Sequence, residues 1–127
     1  MATIAEDYVS FETAKLLKEK GFDESCYQKY DDEGYLSFNH VGYINSDKPR
    51  DDFYALAPTL QMAMKWLRDV YNINIDIVSI WNQKRFEYQV FVVTPENAKH
   101  CYVDDKLYLG YEEACEEAIK YCLKNLI

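Results

Sequence analysis

The sequence is poor in the residues from which catalytic loops are built. It has 4 glycines, 3 prolines and 2 histidines in 127 residues. So few glycines leave little material for a phosphate-cradling loop. No such loop, no nucleophile elbow and no metalloprotease helix is found. The cysteines, Cys26, Cys101, Cys115 and Cys122, show neither Cys-x-x-Cys spacing nor the density of a disulfide scaffold. A reducing cytoplasm is therefore the expected compartment. No apolar run approaches the roughly 20 residues that span a bilayer. Met1 to Asp7 lack the basic region and long apolar core of a secretory signal. Positive charge is short as well: 14 Lys and Arg against 22 Asp and Glu leave a net charge of −8. That balance argues against a nucleic-acid groove, which needs clustered Lys and Arg.

What remains is apolar and rich in tyrosine. Apolar residues make up 49% of the chain, enough for one folded domain of this length. Ala57 to Thr94 is the organising stretch. Pro58 suits a helix start, because its missing N–H would lack a partner there anyway. Leu60, Ala63, Met64, Leu67, Val70 and Tyr71 then recur at helical spacing, with Gln61, Lys65, Arg68 and Asp69 opposite. Asn72 is a natural stop, since it tolerates left-handed backbone. The period then changes to 2. Ile73, Ile75 and Ile77 alternate with polar neighbours, and Phe86 to Val90 alternates again. With Asn82 to Arg85 as the reversal, Trp81 faces Phe86, Ser79 faces Tyr88, Ile77 faces Val90 and Ile75 faces Val92. A slip of one residue would set Glu87 and Gln89 on that face.

The flanks are simpler. Ser10 caps a helix from Phe11 to about Lys20, Gly21 stops it, and Phe22 packs back on its end. Cys26 to Tyr30 and Tyr35 to Asn39 flank the reversal Asp31-Asp32-Glu33-Gly34. Leu36 and Phe38 are expected to face the core opposite Lys29 and Tyr27. Gln28 and Lys29 make the first of these strands read as an edge strand. Asn45 to Asp52 forms a long connection, and Phe53 and Tyr54 re-anchor the chain. Ala98 to Leu109 is ambiguous, with a short strand at Lys106 to Leu109 as one option. The last helix runs from about Tyr111 to Asn125. Ala114, Cys115, Ala118, Ile119, Cys122 and Leu126 form its inner face, with a Glu116–Lys120 pair outside. The order α-ββ-α-ββ-α predicts a single α+β domain over residues 1–127, in which two antiparallel hairpins form a sheet packed by helices.

Chemistry-bearing clusters are few. His100-Cys101 has no second Cys/His pair at ligand spacing, so no metal is expected. Asp31-Asp32-Glu33-Gly34 resembles a calcium loop only in composition and reads as a hairpin turn. His40 with Asp47, Asp51 or Asp52 offers an acid–base pair across the long connection, against a solvated surface histidine. No cofactor is expected. Aromatic surfaces are the better lead: the chain has 12 tyrosines, and tyrosine beyond the needs of a core can mark a binding face. Tyr27, Tyr30, Tyr35 and Tyr43 line the first hairpin beside its acidic turn. Met62 and Trp66 lie four apart on the flank of the central helix. There they either pack under Phe53-Tyr54 or form a contact patch.

Three segments carry a resemblance: Phe11 to Glu24 (FETAKLLKEKGFDE), Ala57 to Arg68 (APTLQMAMKWLR), and Tyr111-Glu112-Glu113-Ala114 with its helix. Together they resemble a family of small uncharacterised proteins encoded by phages and mobile elements of gut bacteria. The family has no assigned activity, so the resemblance supplies no catalytic residues. It implies a cytoplasmic accessory protein acting in a bacterial host. Two function classes beside an interaction module stay open: a small-molecule binder with an aromatic-lined pocket, and an enzyme built on His40. A protein partner is expected, its identity and the oligomeric state are not given, and neither nucleic acid nor membrane is.

Overall fold

The structure, a computed structural model, describes residues 7–43, 54–96 and 98–127. For residues 38–43, 98–101 and 104–105 the description covers the backbone alone. The fold is α+β as expected, with three helices and two antiparallel sheets among the described residues. The two hairpins do not share a sheet; each anchors a three-stranded sheet of its own. The chain divides into two compact units, Met1–Leu60 and Gln61–Ile127.

The first unit opens with helix α1, Phe11–Glu19. The Ser10 hydroxyl accepts from Thr13 N at 3.2 Å, satisfying one of the orphan donors of the first turn. Gly21 closes the helix at φ 90°, a conformation that carries no Cβ penalty for glycine. Phe22 N donates to Leu17 O at 2.9 Å and Gly21 N to Lys18 O at 3.2 Å. These two bonds are the Schellman pattern, and Phe22 is buried behind them.

Strands β1, Cys26–Tyr30, and β2, Leu36–Tyr43, follow. Asp31 organises their turn: its Oδ1 accepts from Glu33 N at 2.9 Å and Tyr35 N at 3.0 Å. Asp31 N also donates to Tyr35 O at 3.1 Å, so the loop proper is Asp32 to Gly34. The expected four-residue reversal is thus shorter by one. Leu36 lies opposite Tyr30, not Lys29, and is exposed instead of facing the core. Strand β3, Ala55–Leu56, pairs with the other side of β1. The sheet order is β2-β1-β3, so β1 is the middle strand and not an edge. Lys29 is accordingly buried. Two residues are too few for β3 to show a period, which is why β1 reads as unpartnered from sequence.

Helix α2 spans Leu60–Tyr71, all but its first residue in the second unit, and ends at Asn72, φ 60°. Its buried arc is Leu60, Ala63, Trp66 and Leu67, while Val70 is exposed. Strands β4, Ile73–Ile80, β5, Arg85–Val93, and β6, Ala98–Tyr108, form a sheet in the order β4-β5-β6. The ambiguous stretch is therefore one long strand. Ser79 lies opposite Phe86, Ile77 opposite Tyr88, Ile75 opposite Val90 and Ile73 opposite Val92. This is two residues from the expected register, and every side chain keeps its expected face. Helix α3, Tyr111–Asn125, covers the sheet face that carries Tyr88 and Val90. It buries Ala114, Cys115, Ala118, Ile119, Cys122 and Leu123; Leu123 replaces Leu126 on the inner face.

Candidate interaction surface

The residues singled out by sequence differ in exposure within each unit. Tyr30 is a core residue of the first unit, 9% exposed, and its hydroxyl donates to Val9 O. Its ring lies 5.4 Å from that of Phe11, which in turn meets Tyr54 edge-on at 5.8 Å. Lys18 Nζ sits 4.7 Å over the Tyr54 ring and donates to Tyr54 O. A buried phenol needs a hydrogen-bond partner, and Val9 supplies it; Tyr30 is structural. Tyr43 pairs with Cys26 through the backbone of β2, and its side chain lies outside the described residues.

Trp66 is 7% exposed, with its ring edge-on to Tyr71 at 5.2 Å. The buried arc of α2 turns toward it, away from the Val70 side of the expected stripe. Met62 is exposed on the same helix, so the two do not form a joint contact patch.

Tyr27 and Tyr35 do reach solvent, at 56% and 68% exposure. Tyr27 lies on β1 opposite the stretch where the pairing with β2 shifts register, between Cys26 and Gln28. Tyr35 closes the turn held by Asp31, and Leu36 beside it is 46% exposed. Asp32 and Glu33 are exposed between them. The first hairpin thus ends in an aromatic and apolar tip flanked by carboxylates. Cys26, next to Tyr27, is buried and its thiol is pushed up to about 12, by burial first and by the Glu24 carboxylate second. It is not a nucleophile at neutral pH.

A second tyrosine group, of which the hairpin alternation places only Tyr88, lies beneath α3. Tyr88 and Tyr108 are buried, with centroids 6.2 Å apart and planes at 29°. Tyr102 is 5.8 Å from Tyr88 and stacks on Tyr121 of the helix. Part of the tyrosine content is therefore core. The alternation of Tyr88 with Glu87 and Gln89 places it on the apolar face of its hairpin, and it is buried there; Tyr102 lies in a stretch without a readable period.

The acid–base reading of His40 rests on a side chain and a connection that lie outside the described residues. Among the described residues, no group of three or more His, Cys, Asp or Glu is placed to hold a metal ion. No helix among them is long and apolar enough to cross a membrane. No family model matches the sequence, and no characterised protein or solved structure matches it either.

Proposed function

We propose that the protein is a non-catalytic interaction module that grips a basic protein partner through the tip of its first hairpin. On this reading it is a cytoplasmic accessory protein of a bacterial host, encoded by a phage or mobile element. The supporting observation is the exposure of Tyr35, Tyr27 and Leu36 beside Asp32 and Glu33. Tyrosine offers a large, rigid contact area at low entropy cost. Carboxylates around it favour encounter with a positive surface and repel phosphates, consistent with the net charge of −8.

The test is capture from a gut-bacterial lysate with tagged protein, read by mass spectrometry. Wild type is compared with Tyr35→Ala and with Asp32→Lys/Glu33→Lys. The expected result is one stoichiometric partner that is lost at high salt and lost by both variants. A partner retained by both variants, or none in the lysate, overturns the reading.

A further inference from the structure

The two edges of the second sheet are built differently. Strand β6 carries Lys99, Asp104, Asp105 and Lys106, and its pairing with β5 shifts register twice. Charges and bulges are the usual protection of an edge against another strand. Strand β4, Ile73–Ile80, has a single charge, Asp76, and no register shift against β5. It is rich in β-branched residues and, among the described residues, pairs with β5 alone.

Its outward hydrogen-bonding groups can be identified. Val93 N donates to Asn72 O at 2.9 Å, which makes Asn72 and Val93 a bonded pair at the start of the ladder. In an antiparallel ladder bonded and unbonded pairs alternate. Asn74, Asp76, Val78 and Ile80 are therefore bonded to β5. The N–H and C=O groups of Ile75, Ile77 and Ser79 point away from it. A row of such groups is recognised by one kind of surface, an extended backbone.

We propose that this edge pairs with β4 of a second copy of the chain, antiparallel about a two-fold axis through Ile77. The argument for a second copy is self-complementarity. A continuous sheet requires residues of the same face to meet. With Ile77 on the axis, Ile77 meets itself and Ile75 meets Ser79, so all outward groups of these three residues are bonded. On the other face Asn74 meets Ile80 and Asp76 meets Val78. Moving the register by two places Asp76 against Asp76, at about 4.5 Å, and is rejected by repulsion. Moving it by two the other way sets Ile75 opposite Trp81, beyond the end of β4, and leaves fewer groups bonded, so charge and strand length together select the alignment. The contact is isologous and closes as a dimer, with the sheet extended from three strands to six.

The test uses the whole chain. Sedimentation equilibrium on the wild type is expected to show a monomer–dimer equilibrium. Hydrogen exchange is expected to show concentration-dependent protection at the amides of Ile75, Ile77 and Ser79. Ser79→Pro removes an N–H that is unbonded within the monomer, so the monomer fold is retained. The variant is expected to weaken dimerisation at least about tenfold, with unchanged helical circular dichroism. Under oxidation Ile77→Cys is expected to cross-link, since a bonded pair places its Cα atoms about 5.5 Å apart. Ile75→Cys, with its copies more than about 13 Å apart, is expected not to. A wild type that stays monomeric at all concentrations overturns the proposal. So does a Ser79→Pro chain that dimerises as tightly as the wild type, or equal cross-linking at the two positions.

Discussion

The ring of Tyr102 lies flat against that of Tyr121, with centroids 3.9 Å apart and planes 16° apart. One is on an outer strand and the other on the last helix, so the stack ties α3 to the far side of its sheet. Tyr88 lies 6.5 Å from Tyr121 and extends the aromatic layer toward the middle strand. Ring pairs of this kind contribute roughly 0.5–1.5 kcal/mol beyond the area they bury. Tyr121→Ala is expected to destabilise the chain by about 2 kcal/mol, and a double-mutant cycle with Tyr102→Ala to return a coupling in that range. Denaturant unfolding of the four proteins measures both.

Gly34 is constrained twice. Its φ is 88°, and a Cβ there would lie 2.8 Å from Cδ2 of Phe11. Gly34→Ala must therefore strain the backbone and displace the ring that packs on Tyr30 and Tyr54. A loss of about 1–3 kcal/mol is expected. If the ring contact contributes, Phe11→Leu will relieve part of the loss in the double variant; equal losses in both backgrounds would assign it to the backbone alone.

Tyr30→Phe removes only the hydroxyl that donates to Val9 O. The ring contacts survive, and a buried carbonyl is left without that donor. The expected cost is about 1–3 kcal/mol, read as a lower denaturation midpoint at constant slope.

Cys26 makes stability pH-dependent in the alkaline range. Its thiol is raised from 9.0 to about 12 by burial and then by Glu24. The unfolded chain therefore releases this proton at a pH where the native chain keeps it. The contribution of the site is complete below the unfolded value and is lost as pH climbs from there toward about 12. Unfolding midpoints measured across that window are expected to fall more steeply for the wild type than for Cys26→Ala. A thiol reagent at neutral pH is expected to label Cys26 only after denaturant is added.

How much of this was legible depended on whether the signal was local. Helix α3 runs from Tyr111 to Asn125 as its apolar spacing requires, and α1 is bounded by Ser10 and Gly21. The second hairpin was legible in its faces but not in its register. A two-residue slip leaves every side chain on its own side of the sheet, so alternation cannot detect it. The turn decided it: Gln83 N donates to Ile80 O at 3.1 Å, and Lys84 adopts φ 52°. Neither residue advertises that role, and Trp81 is left 86% exposed at the turn. The candidate surface was half legible. Tyr27 and Tyr35 are exposed, whereas Tyr30 and Trp66 are buried, and a strand or helix period does not say how far a neighbour covers one flank.

The sequence by itself determined the class, the helices, the capping residues and the faces of the second hairpin. These follow from backbone preferences and from spacing within a single segment, which act over a few residues. Tertiary structure decided that the hairpins belong to separate sheets, that β1 is the middle strand, and which tyrosines are core. Those outcomes depend on partners distant in the chain, such as Leu56 opposite Lys29 and Tyr121 against Tyr102. No local period records such a partner, because the free energy that selects it arises only when the two surfaces leave water together.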